Sequence, residues 1–255
     1  MSNHNHLRGL APVQAKQADC TACPYRDSLL AAGRCEPGDI CVVAESGRQI
    51  ERFMRRNPEF AESYLDDPFW ERRAIAVRYA PKEAAARLVA DRDEVVRRAV
   101  ALRLVGNDLL AMINDADREV RITVAARMPP AHLARMMHDP DYQVRVQVAR
   151  RLPHGKLPRM ADDPEREVRK EVARHLPAFA LGPLARDADE EVRRIVAERA
   201  LPELAANLLA DADWLVRLHA ARRAPREALV VLIDDPEADV REVARARLSG
   251  HLLED

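Results

Sequence analysis

The chain has 255 residues, a formal net charge of −1 and a pI near 6.7, with 47% apolar and 33% charged residues. That near-neutral balance provides no broad electrostatic footprint for nucleic acid, and no run of about 18 apolar residues is present to span a membrane. Aromatics are only 4%, while Ala, Leu, Arg and Val dominate, which is a helix-rich composition.

The first seventeen residues, "MSNHNHLRGLAPVQAKQ", hold no apolar core of a signal peptide. A cytoplasmic protein is expected. His4 and His6 are read as part of a polar terminus, not as ligands.

The next stretch, "DCTACPYRDSLLAAGRCEPGDIC" (19–41), contains every cysteine of the chain. The spacing is Cys20-x2-Cys23-x11-Cys35-x5-Cys41. Reduced thiols clustered in this way bind metal more often than they pair. Three readings are open at this point. Zinc takes four thiolates, and Cys-x2-Cys is a common half-site. A [4Fe–4S] cluster also takes four thiolates and tolerates wider spacing. Two disulfides are the third reading. The wide second pair, with Gly38 inside it, tilts the spacing towards iron–sulfur. "DSLLAAG" (27–33) predicts a short helix ending at Gly33, with Leu29 and Leu30 available to dock. Residues 1–46 are too few for an ordinary core, so a metal centre would hold them together.

From residue 67 onward a strict period of 24 takes over. Asp67, Asp91, Asp115, Asp139, Asp163, Asp187, Asp211 and Asp235 mark it, each followed six residues later by an Arg. A degenerate copy spans 47–66. The copy "DPDYQVRVQVARRLPHGKLPRMAD" (139–162) predicts a helix of about twelve residues, with Asp139 as cap and Pro140 at its first position. Val144, Val148 and Leu152 form its apolar stripe. Asp141 and Arg145, four apart, are expected to pair on its surface. Pro153 stops the helix. Leu157 and Met160, three apart, then predict a 3-10 turn. Val105 and Leu201 replace the corner proline in two copies, and those corners are expected to bend differently. The Asp and Arg ladders are read as structural, pairing within or between copies, and exposed pairs of this kind contribute about 0–1 kcal/mol each. Arg72 and Tyr79 break the pattern in the first regular copy and are read as contacts to the Cys segment.

One copy cannot bury its stripe alone, whereas stacked copies form a continuous core. The expected fold is therefore all-α, an elongated solenoid of 24-residue repeats over 47–255 with a metal-bound cap over 1–46. Catalysis by side chains has no visible basis: there is no phosphate loop, no His-Glu-x-x-His and no Gly-x-Ser-x-Gly. His132, His138, His154, His175 and His219 are read as surface or packing residues.

The units "DPDYQVRVQVARRLP" and "DPEREVRKEVARHLP", together with the four-Cys segment, resemble the bacterial leucine-rich repeat variant family that carries an iron–sulfur cluster. The resemblance implies that each unit is an α-helix followed by a 3-10 helix, and that the units wind into a right-handed superhelix. It also implies a [4Fe–4S] cluster held by Cys20, Cys23, Cys35 and Cys41. It brings no defined activity. Redox or sensing work on a protein-binding scaffold is the leading expectation. The alternatives are a structural scaffold whose metal only stabilises the cap, and, less favoured, nucleic-acid binding.

Overall fold

The structure is a computed structural model, and it describes residues 18–250. The terminal His4 and His6 lie outside the described residues. The chain divides into two compact units, Met1–Arg127 and Met128–Asp255.

Among the described residues, nine main helices carry the repeats. Gly47–Arg56 (α1), Trp70–Tyr79 (α2), Glu94–Arg103 (α3) and Arg118–Arg127 (α4) belong to the first unit. Tyr142–Arg151 (α5), Arg166–His175 (α6), Glu190–Arg199 (α7), Trp214–Arg223 (α8) and Ala238–Ser249 (α9) belong to the second. Among the described residues there is no strand, only an isolated bridge between Glu36 and Ile40. The all-α, repetitive architecture follows the reading of the sequence.

Each helix is too short to persist alone in water, so stacking must supply the stability. The stripe does this. Val144, Val148 and Ala149 on α5, Val168, Val172 and Ala173 on α6, and Val192, Val196 and Ala197 on α7 are all fully buried. Each such Val stabilises by roughly 1.5–3 kcal/mol. The predicted 3-10 turns follow: Leu157–Met160 is one, with both named side chains buried. In one copy a short α-helix, Lys82–Ala85, precedes the 3-10 turn Ala86–Leu88, and in another the α-helix Pro202–Ala206 replaces the turn. Of the two unusual corners only one bends differently: Val105 sits at φ −139 before Gly106 at φ +60. Leu201, at φ −68 and ψ 157, keeps nearly the backbone of the corner prolines Pro81, Pro177 and Pro225, contrary to the reading from sequence.

The helix starts lie later than expected. The period-marking Asp is not the cap; it closes a turn. Asp139 Oδ1 accepts from the Asp141 backbone N–H at 2.9 Å, and Asp141 then caps α5 by accepting from Gln143 N–H at 2.8 Å. Pro140 sits in that turn, and α5 has ten residues. Asp93, Asp189 and Asp213 cap their helices in the same way. Asp93→Ala, which removes the bond from Val95 N–H, is expected to lower stability by about 1 kcal/mol in urea unfolding. The C-terminal stop is as read: Gly250 adopts φ +80 and closes α9.

The Arg ladder is structural, as read, but it is not an exposed one. Arg145 donates from Nε and Nη2 to both oxygens of Asp163, 18 residues on, at 2.7 and 2.9 Å. Its Nη1 donates to the Asp139 carbonyl at 2.8 Å. The expected surface pair of Arg145 with Asp141 therefore gives way to a buried bridge between copies. The same fork joins Arg73 to Asp91 and Arg97 to Asp115 in the first unit. In the second it joins Arg169 to Asp187, Arg193 to Asp211 and Arg217 to Asp235.

The first rung explains Arg72. The place of a ladder Arg before Asp67 is held by Gln49. Arg72 supplies the missing cation, donating to both Asp67 oxygens at 2.9 Å while its guanidinium lies 5.2 Å from the centre of the Phe69 ring. Tyr79 donates to Glu51 on α1 at 2.5 Å. Neither bond goes to the Cys segment, contrary to the reading from sequence.

Candidate metal centre

The Cys segment folds as a run of tight turns bonded to α1. After Cys20 and Cys23, residues Arg26–Leu30 form a single π-helical turn, so the predicted short helix is present in a wider form. Gly33 ends it at φ +66. Leu29 is buried and Leu30 half-buried. The Leu29 carbonyl accepts from Arg34 N–H at 2.7 Å and from Cys35 N–H at 3.3 Å, which returns the chain to the first pair of thiols.

The x5 spacing now has a geometric reason. Glu36 and Ile40 exchange backbone hydrogen bonds, each 2.8 Å, and close a small loop between Cys35 and Cys41. Gly38 turns that loop at φ +82, a region that strains any side chain. Cys35 and Cys41 therefore flank the two ends of one bridge. Cys41 N–H donates to the Gln49 carbonyl of α1 at 3.3 Å.

All four side chains are free thiols; Cys41 is buried and the other three are half-buried. Burial pushes the Cys35 thiol above its ordinary value, and Cys23, Cys41 and Cys20 add to the shift. Among the described residues, no three His, Cys, Asp or Glu groups converge tightly enough to hold a single ion. Four thiolates crowded in this way repel one another, and a cationic centre relieves the repulsion. The donor set suits an iron–sulfur cluster or zinc.

What holds the segment in place was not legible in the cysteine pattern. Tyr25 packs against Phe53 and Phe60 with ring centres 5.7 and 5.3 Å away, and Phe53 lies 6.3 Å from Phe60. Tyr64 and Tyr25 hydroxyls are hydrogen-bonded at 2.9 Å. Asn57, fully buried, donates to the carbonyls of Arg34 and Phe53. Around this centre, Arg56 donates to the Gly33 carbonyl at 3.0 Å, Arg34 pairs with Glu59, and Arg52 pairs with Asp39. Aromatic content was the available signal: seven aromatics precede residue 80 and only three follow it.

A solved structure described as a leucine-rich repeat variant with a novel repetitive protein structural motif aligns with 91% of this chain and 99% of its own, at 53% identity and a TM-score of 0.86. The chain belongs to the leucine-rich repeat variant family. The family model of the leucine-rich repeat variant matches residues 118–141, 142–165, 166–189 and 214–237. The model described as the LRV protein FeS4 cluster matches residues 13–63. The chain is therefore a leucine-rich repeat variant protein with an iron–sulfur cluster segment. That match runs through α1 to residue 63, so it takes in both sides of the Tyr25–Phe53–Phe60 joint. A curated relative, described as an uncharacterized 27.7 kDa protein in the nifB 3′ region of Rhodobacter capsulatus, is 42% identical over 86 residues. The match covers 34% of this chain and 35% of that protein, so the chain spans about a third of that relative's length. No helix among the described residues of this leucine-rich repeat variant is long and apolar enough to cross a membrane.

Proposed function

We propose that Cys20, Cys23, Cys35 and Cys41 hold one [4Fe–4S] cluster in a domain spanning residues 1–46. We further propose that the protein carries or senses an electron while its repeats, from residue 47, bind a partner protein. One observation carries the reading: all four free thiols lie within residues 13–63, the segment matched by the iron–sulfur family model. A four-iron cluster takes four thiolate ligands, the number of free thiols the segment offers. Such a cluster supplies a one-electron couple when bound. The chain's own residues shape its environment. Cys41 is anchored through its backbone to α1, and the loop turned by Gly38 sets the distance between the last two ligands. Clustered thiols are kept as ligands in a reducing compartment, which fits a cytoplasmic setting.

The test is anaerobic purification with iron, sulfide and zinc analysis and an EPR spectrum before and after dithionite. About four irons and four sulfides per chain with a reversible, reducible signal are expected. One zinc without sulfide would leave the centre as a structural cap. A cluster destroyed by reduction would remove electron transfer.

The second reading, a scaffold whose metal only stabilises the cap, draws on the density of contacts between the Cys segment and α1. Nucleic-acid binding is less favoured, because the ladder arginines that would meet phosphates are held by aspartates.

A further inference from the structure

A second arginine register runs through the repeats, twelve residues after the ladder Asp. Its side chains donate back to carbonyls at the end of the preceding helix. Arg103 donates to Ala80 at 2.8 Å, Arg127 to Leu104 at 3.3 Å, Arg199 to Ala173, and Arg247 to Ala221 and Ala224 at 2.7 and 2.8 Å. Arg223 stands in the same register on α8 and breaks the rule. Neither its side chain nor that of its neighbour Arg222 makes a hydrogen bond or ion pair, and both residues are exposed.

Both line an open cleft of about 700 Å³ within the second unit. Glu198 and Arg199 of α7, His219 of α8 and Leu201 complete the part that matters here. The cleft lies at the corner where Leu201 replaces the proline. Leu201 is 45% exposed. With three guanidinium groups and one carboxylate, the cleft carries a net positive charge. Burial pushes the His219 imidazole below its ordinary value, so at neutral pH it is an uncharged ring that can donate or accept.

We propose that this cleft binds a partner protein through a short acidic segment with a large apolar side chain beside its carboxylates. The forks of Arg222 and Arg223 match carboxylate geometry. The apolar side chain covers Leu201, the exposed apolar residue of the lining. Glu198 inside the cleft disfavours a phosphate backbone. The proposal deepens the scaffold reading above and rests on it.

The test uses the full-length, cluster-loaded protein and a fluorescein-labelled Glu-Phe-Asp-Leu-Glu peptide, followed by anisotropy. Arg222→Ser/Arg223→Ser is expected to weaken binding about tenfold, and Leu201→Ser several-fold. Arg98→Ser/Arg135→Ser removes two other exposed arginines and is expected to leave binding unchanged. Unchanged melting and iron content show that each variant is folded. Equal weakening by the control pair, no binding by the parent protein, or preference for a single-stranded oligonucleotide with steep salt dependence would each overturn the proposal. Peptide binding that ignores Arg222 and Arg223 also overturns it, while leaving the scaffold reading standing. The scaffold reading itself depends on whether the full-length chain forms a specific crosslinked complex in its own cells.

Discussion

Asp235→Ala is expected to destabilise the second unit by about 3–5 kcal/mol in urea unfolding, the cost of stranding one member of a buried ion pair. The neighbouring Asp234→Ala, at an exposed position, should change stability by less than about 0.5 kcal/mol. The difference follows from what Asp235 does. Its side chain is 4% exposed, and it accepts two bonds from Arg217, at 2.7 and 2.9 Å. Its Oδ1 also accepts from Glu237 N–H at 2.9 Å, which shapes the turn before α9. Removing the carboxylate leaves a largely buried guanidinium with only the carbonyls of Asp211 and Ala212. Converting both partners, Arg217→Met with Asp235→Leu, should cost less than the two single changes added together, because no charge is then stranded. A loss near 1 kcal/mol for Asp235→Ala would reduce the rung to an ordinary surface pair.

The same pair sets a pH dependence. Hydrogen bonds from Arg217 hold the Asp235 carboxyl below its ordinary value of 3.8, against the opposing effect of burial. Arg194 does the same for Asp213. Both carboxyls bind protons more weakly in the folded state than in the unfolded one. Their contribution is therefore present above the ordinary carboxylate value and is lost as pH falls through the lower folded values. Acid unfolding should begin below about pH 4, and Asp235→Ala should shallow the decline.

Phe53→Ala is the second large effect. Phe53 is 1% exposed and joins Tyr25 of the Cys segment to Phe60 of the 3-10 helix Pro58–Tyr64. Truncating a buried Phe costs about 3–5 kcal/mol. Here the loss should fall on the first unit and loosen the attachment of the Cys segment. Limited proteolysis should then cut within residues 18–46, and a chelator should strip iron faster than from the parent protein. Phe179→Ala, at an exposed site, provides the comparison. If stability drops while proteolysis and iron release stay unchanged, the aromatic joint is not what holds the segment.

The sequence made the repeat legible because a period of 24 projects the same stripe, corner and turn onto every copy. Val144, Val148, Leu157 and Met160 are buried where the spacing placed them. The helix starts were misplaced because Asp139 and Asp141 are both competent caps. Only the turn closed by Asp139 shows that the second one begins the helix. The ladder's partners were legible as a class but not as pairs, since Arg145 reaches past Asp141 to a residue 18 positions on. In the candidate site, the cysteines announced themselves, whereas Tyr25, Phe53, Asn57 and Phe60 follow no period. Their meeting depends on turns whose closure cannot be read from residue types.

The rungs of the second unit have a direction: each copy gives its Arg forward and receives through its Asp, and both positions recur at the same offset. If residues 166–189 were excised, Arg145 would keep Asp163 and Arg193 would keep Asp211. Arg193 would then find the Asp163 carbonyl six residues behind it, where Asp187 now stands. The bonding pattern is indifferent to how many copies lie between its ends, provided whole periods are gained or lost. Within this unit, then, ancestry by tandem duplication needs no repair of the joints it creates, and length is free to vary while the seam between neighbours stays fixed.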